Sequence, residues 1–402
     1  VLMDNKIALR PYQEEARRAV EDTWINGTKR TLLVLPTGCG KTIVFAKIAE
    51  DMVRKGNRVL ILAHRSELLQ QAADKIQKAT GLICSVEKAE ETSVGSWYMI
   101  TTGSIQTLQR ESRLSKFDKE HFPVIIVDEA HRGYILDRNM KEEEKDFFDE
   151  KDFESKYKAV IDYFDAVKIA LTATPALHTQ EIFGEPVYSY SCSQAVIDGY
   201  LVDVEPPYEI ITKLSEEGIH YQKGAMVKVY DVEAQKVKER EVLADELDFD
   251  IEKFNKSVIT ESFNREVCSA LVDYINPEGP EKTLIFTASD EHADMVVRIL
   301  REEYQKQAMF YMNMEMIAKM TGYVKDVDHL VKKFKNEAYP TIGVTVDLLT
   351  TGVDVPRITN LVFLRKVKSR ILYHQMLGRA TRKCDEIDKT SYKVFDAARN
   401  YV

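Results

Sequence analysis

The chain reads as an α/β protein of two doubly wound parallel-sheet domains, and three observations carry that reading. Short, wholly apolar runs alternate with segments of helical period, the pattern of strands buried on both faces and covered by helices. One of those runs stops at a glycine-containing loop that opens directly into a helix, in Leu32 to Thr42, LLVLPTGCGKT. The alternation lapses in a charged middle stretch and starts again near Phe263. At 402 residues the chain is long enough for two or three domains, each with its own core.

In order, LRPYQEEARRAV predicts a turn and then a helix, and RTLLVLP a buried strand. TIVFAKIAEDMVRKG is a helix closed by Gly56, NRVLILAH a second buried strand, and SELLQQAADKIQKATG a helix for which Ser66 can serve as N-cap. WYMITT, VIIVDEA and VKIALTATP continue the strand series. Between Lys141 and Lys158 the chain is dense in charge, and Asp149, Asp152, Glu154 and Lys156 imitate the spacing of a nuclease metal site. No apolar strand flanks them, so they read as a solvated face. Gly199 to Gly224 has little periodicity, and Val227 to Phe254 is charged and reads as a helical connector. NREVCSALVDYI is then helical, TLIFTAS a strand, EHADMVVRILREEYQ a helix, TIGVTVDLL and NLVFLR strands, and YHQMLGRATR part of a last helix. The expected division is a first domain over 1–195, a connector over 196–258 and a second domain over 259–402.

Hydrophobic content of 44% and charged content of 30% describe an ordinary globular protein, and a net charge of −9 argues against coating nucleic acid by bulk charge. A local basic track remains open, because phosphate contacts need only a handful of Lys and Arg. The five cysteines lack metal-ligand or disulfide spacing, which fits a reducing cytoplasm. No apolar run is long enough to cross a membrane, and no signal-peptide pattern opens the chain.

The chemistry centres on Pro36, Thr37, Gly38, Cys39, Gly40, Lys41 and Thr42. Gly38 and Gly40 let backbone N–H groups close on phosphate oxygens, and the helix behind them adds the positive end of its dipole. Lys41 supplies charge for β- and γ-phosphates and Thr42 a hydroxyl ligand for Mg²⁺. The commonest form of this loop has glycine where Leu35 stands. Asp128 and Glu129 follow a buried apolar strand, in VIIVDEAH. Adjacent carboxylates there suit a hydrated Mg²⁺ and an activated water, Asp128 orienting the metal and Glu129 the attacking water. On one helix, Gln375, Arg379 and Arg382 would share a face, being spaced i, i+4 and i+7. Two guanidiniums so placed can stabilise the charge developing on a transferred phosphoryl group.

Together, PTGCGKT and DEAH, Asp128 to His131, resemble the ATPase signature of the DEAD/DEAH-type helicases of superfamily two. That resemblance spans nearly the whole chain. It implies two RecA-like domains with ATP bound in the cleft between them, closing and opening to move along nucleic acid. Arg10 and Gln13, in LRPYQ, match the segment whose Gln reads adenine. His64 and Arg65, with Thr101, Thr102, Ser104 and Gln106 in TTGSIQTL, match segments that hold one strand by its phosphates. LTATP, with Thr172 and Thr174, matches the segment coupling hydrolysis to domain movement, a task shared by His131 and Gln375. In TVDLLTTGVDVP, the resemblance implies that Thr345, Thr350 and Thr351 face a phosphate track. Gly352 permits close approach there, and Asp354 contacts the ribose or Arg379.

From Asp128 onward the chain is more narrowly similar to the DNA-translocating subunit of type I restriction enzymes, through DEAHRGY, AVIDGYLVD, FNKSVITESFNREV, LIFTASDEHADMVV and TVDLLTTGVDVPRITNLVFLRKVKSRILYHQMLGRATR. This implies ATP and Mg²⁺ as cofactors, double-stranded DNA as the track, and methyltransferase and specificity subunits as partners. That family's subunit adds an upstream nuclease domain and downstream helices, neither visible here. The expectation is therefore a motor that translocates without cutting, whether an excised core or a stand-alone relative. A strand-separating DNA or RNA helicase and a nucleotide-gated DNA-binding switch remain as alternatives.

Overall fold

The computed structural model describes residues 8–63, 66–87, 92–128, 158–173, 177–210, 219–221, 227–231, 236–240, 247–249, 261–307, 313–346, 355–367 and 370–400. Its contacts divide the chain into two units, Val1–Asp198 and Gly199–Val402.

The first unit is built on seven strands: β1 (Arg30–Val34), β2 (Val59–Ala63), β3 (Cys84–Glu87), β4 (Ile100–Ser104), β5 (Val124–Asp128), β6 (Val167–Thr172) and β7 (Pro186–Ser189). They pair in the order β3-β4-β2-β5-β6-β1-β7, every pair parallel. Every described residue of β2 and β4 is buried, as an internal parallel strand requires. The Pro11–Ile25 helix starts with proline at its first position, where the missing N–H costs nothing. The Lys41–Arg54 helix ends as expected, with Gly56 at φ +84° just past it.

The second unit contains β8 (Asp203–Val204), β9 (Tyr208–Glu209), β10 (Ile219–Tyr221), β11 (Val227–Asp231), β12 (Lys236–Arg240), β13 (Leu247–Phe249), β14 (Lys282–Phe286), β15 (Ile317–Lys319), β16 (Ile342–Thr345), β17 (Ile358–Phe363) and β18 (Ser391–Asp396). Its main sheet runs β15-β16-β14-β17-β18-β8, with β9 also on β18. Strand alternation divides two cores. Ile285, Val344, Val362 and Phe395 face the Glu261–Val272 and Asp290–Gln307 helices. Leu284, Phe286, Leu361, Phe363 and Val394 meet Phe334 and Met376 on the other side.

Three expectations need correction. Val227 to Phe254 holds no described helix: β11 pairs antiparallel with β12, Val227 opposite Arg240, and β10 with β13. Its VKV and KVK runs have period two, which the density of charge obscured. Within the expected connector 196–258, β8 and β9 belong to the second sheet. The last helix is Arg370–Leu377, so Gln375 is helical while Arg379 and Arg382 lie beyond it. The backbone tightens after His374, with Arg379 N–H donating to Met376 O at 3.1 Å and Ala380 N–H to Leu377 O at 3.0 Å. Arg382 pairs antiparallel with Leu201. The common-face argument for the two arginines therefore fails.

Candidate nucleotide site and polymer-facing residues

In the first unit β5, β6 and β1 are neighbours, so their carboxyl ends share one edge. Asp128 ends β5, Thr172 ends β6, and the glycine loop follows β1. Adjacent parallel strands lie about 4.8 Å apart, which sets Asp128 about 10 Å across the sheet from the loop's strand. Leu35 N–H donates to Thr172 O at 3.0 Å, joining the start of the loop to the end of β6.

The loop closes through Cys39 N–H to Pro36 O at 3.2 Å. Gly38 (φ +93°) and Gly40 (φ +71°) both take the left-handed conformation. A Cβ on Gly40 would meet Gln13 Nε2 at 2.6 Å, so this position requires glycine on two counts. Ile43 N–H then donates to Gly40 O at 2.9 Å as the first turn of a fourteen-residue helix. Its first residue, Lys41, is buried within the cradle, and Thr42 follows at the partly exposed helix start.

Gln13 is clamped onto this loop. Arg10 N–H donates to its Oε1 at 2.9 Å, and its Nε2 donates to Cys39 O at 2.9 Å. That pair of bonds orients the amide. Tyr12, which sequence reasoning passed over, donates from its hydroxyl to the same Cys39 carbonyl at 2.8 Å. Its ring stacks on Tyr190 with centroids 4.3 Å apart and planes 5° apart. Tyr190 in turn donates to Asp198 Oδ2 at 2.6 Å. Burial pushes the Tyr12 phenol and the Cys39 thiol up, to about 12 and about 11, so both are neutral hydrogen-bonding groups here. Tyr12's neighbour Gln13 was a local hint, but Tyr190 is brought in only by the fold.

The residues expected on the polymer track divide sharply. Thr101 and Thr102 are buried in the sheet, where the Thr101 hydroxyl meets Ser85 Oγ at 2.9 Å and the Thr102 hydroxyl donates to Ser85 O at 3.3 Å. Ser104 and Thr345 are buried as well, and Thr345 O accepts from Thr287. A strand covered on both faces presents no side chain to a polymer, so direct contact from these four is corrected. Gln106 is exposed. His64, Arg65, Glu129, His131, Thr174, Thr350, Thr351, Gly352 and Asp354 lie outside the described residues, as does the nuclease-like cluster. Among the described residues no helix is long and apolar enough to cross a membrane.

The profile of the family described as "Type III restriction enzyme, res subunit" matches residues 6–177, and that of the "Helicase conserved C-terminal domain" matches residues 266–384. The chain is 42% identical over 420 residues to the EcoKI type I restriction enzyme endonuclease subunit of Escherichia coli, covering 99% of this chain and 35% of that subunit. It is 26% identical over 411 residues to the EcoAI subunit of Escherichia coli, covering 96% of this chain and 46% of that one. The chain thus spans between a third and a half of these relatives' length. A solved fragment of an HsdR subunit of a type I restriction enzyme from Vibrio vulnificus shares the fold, with TM-score 0.67 and 23% identity over 97% of this chain and 64% of that one. With its loop, its Asp128 edge and these matches, the chain carries a restriction-enzyme res-subunit domain followed by a helicase C-terminal domain, and it is similar over nearly all its length to part of type I restriction endonuclease subunits.

Proposed function

We propose that this chain is an ATP-driven translocase on double-stranded DNA, the motor of a type I restriction system acting in the cytoplasm with methyltransferase and specificity subunits. The observation that carries the proposal is the Gly38–Gly40 cradle sharing a sheet edge with Asp128, in a chain 42% identical to a restriction endonuclease subunit. Phosphates would rest on the loop amides and the helix start, with Lys41 countering their charge. Thr42 and Asp128 would hold Mg²⁺, a fit supported by a hydroxyl and a carboxylate at that edge. The ion, when bound, neutralises charge developing on the phosphate oxygens. Glu129 is proposed to align the attacking water, and Arg379 and Arg382 to stabilise the transferred phosphoryl group. Gln106, His64 and Arg65 are proposed polymer contacts.

The test is ATP turnover by the purified chain with no polymer, duplex DNA, single-stranded DNA or RNA at matched salt. Greatest stimulation by duplex DNA, lost in Lys41→Ala and Glu129→Gln with the circular dichroism spectrum unchanged, is the expected result. Wild-type turnover in Glu129→Gln would sink the assigned mechanism. Greatest stimulation by single strands or RNA would leave a helicase of the kind named in yeast, whose IRC3 protein is 24% identical over 93% of this chain.

A further inference from the structure

Among the described residues of the second unit, two buried lysines direct their ammonium groups at backbone carbonyls, Lys282 also lying over the Phe334 ring at 5.4 Å, and the other, Lys389, sits beneath the arginine-bearing turn. Lys389 Nζ donates to Pro356 O at 3.0 Å, to Ala380 O at 2.7 Å and to Ile358 O. Ala380 stands between Arg379 and Arg382, Pro356 ends the TVDLLTTGVDVP segment, and Ile358 begins β17. One ammonium thus gathers the turn after the last helix, the end of that loop and a central strand of the sheet. Two further bonds brace the same turn: Thr381 Oγ1 donates to Gly378 O at 3.1 Å, and Val202 N–H donates to Thr381 O at 2.8 Å.

A buried charge is costly unless several groups solvate it. Burial pushes the Lys389 ammonium down to about 8, opposed by the charges of Cys384 and Glu281, while three backbone carbonyls accept its hydrogen bonds. A leucine or methionine would fill the space without that cost. What an apolar side chain cannot do is hold three carbonyls from two stretches of backbone at fixed hydrogen-bond distances.

We infer that Lys389 is a positioning residue for hydrolysis, holding the 378–382 turn so that Arg379 and Arg382 are presented in one fixed arrangement. The inference rests on the proposed role of those two arginines. It also has an internal control. Lys282 Nζ binds Glu337 O at 2.8 Å, Ala338 O at 2.8 Å and Pro340 O at 2.7 Å, the same kind of cage, on a loop that carries neither arginine.

The experiment is a mutant cycle on the full 402-residue chain, reading kcat and KM for ATP under the polymer condition that stimulates it most. Lys389→Met, Lys282→Met, Arg379→Ala/Arg382→Ala and the combination of Lys389→Met with the arginine pair are compared, with thermal unfolding alongside. Lys389→Met should lower kcat at least tenfold with KM within twofold, and have no further effect once both arginines are gone. Lys282→Met should lower the unfolding midpoint and leave kcat within twofold. Should Lys389→Met fail to fold, Lys389→Gln, which keeps two donors, serves with the same expectation. A Lys389 effect that persists undiminished without the arginines, or is matched by Lys282→Met, overturns the inference and marks a purely structural lysine. Wild-type turnover in the arginine variant instead overturns the role assigned to the arginines, and the inference with it.

Discussion

Gly40 shows how narrowly a single position can be constrained. Its φ of +71° is disfavoured for any residue with a Cβ, by about 1–2 kcal/mol, and its neighbour Gln13 Nε2 occupies the place where that Cβ would sit. Gly40→Ala is therefore expected to weaken ATP binding at least tenfold in a nucleotide titration, with the chain still folded. Tyr12→Phe is milder. It removes one hydroxyl from Cys39 O, which keeps its bond from Gln13, so about 1 kcal/mol is lost and the KM for ATP should rise by about fivefold at most. The glycine loop and the helix start behind it were legible because they are local: two left-handed glycines and a helix beginning at Lys41 within seven residues. Thr101 and Thr102 were misread because a motif specifies a residue type and not the direction of its side chain. In a fully covered strand their hydroxyls turn to Ser85.

At the scale of elements, the apolar strands were legible from their length and their flanking turns, while charged or short elements were not. The Lys236–Arg240 strand carries four ionisable residues in five, and only its pairing with Val227–Asp231 makes it a strand. The Arg370–Leu377 helix stops where Gly378 begins a tightened turn, a decision helical spacing could not anticipate. Within β16, Gly343 marks a close crossing: an added Cβ would lie 2.6 Å from Met320 Sδ and 3.4 Å from Leu284 Cδ2. Methionine is flexible enough to yield, so Gly343→Ala should cost about 1–2 kcal/mol by chemical denaturation, at the lower end of overpacking effects. The helices Glu261–Val272 and Asp290–Gln307 are laced by Arg265 to Glu302 at 2.7 Å and to Glu303 at 2.9 Å, pairs that salt should weaken.

For the molecule as a whole, the buried and paired groups set a direction of stability with pH. His292 is buried, its Nδ1 accepting from Ala288 N–H at 3.0 Å and its Nε2 bonded to Asn264 Oδ1 at 2.8 Å, and desolvation lowers its pKa from 6.5 to about 3. The unfolded chain takes up that proton near pH 6.5 and the folded chain refuses it until about 3, so stability falls as pH drops through this window. Glu14, held near 2 by hydrogen bonding to Arg17, and Glu261, held near 2 by Arg298 and Arg265, extend the loss below pH 4.5. Thermal midpoints measured from pH 7 to 3 should fall steadily, and His292→Gln should flatten the slope between 6.5 and 4 while lowering the midpoint at neutral pH. By itself the sequence determined the α/β class, the glycine loop between a buried strand and a helix, and the helicase motifs, because each is written in contiguous residues or in their order. Only the tertiary structure decided that Tyr190 stacks on Tyr12, that β8 and β9 join the second sheet, and that Lys389 grips Ala380 and Pro356. All but the Lys389–Ala380 contact join residues far apart in the chain, and burial and hydrogen-bond satisfaction at such distances are properties of the packed fold.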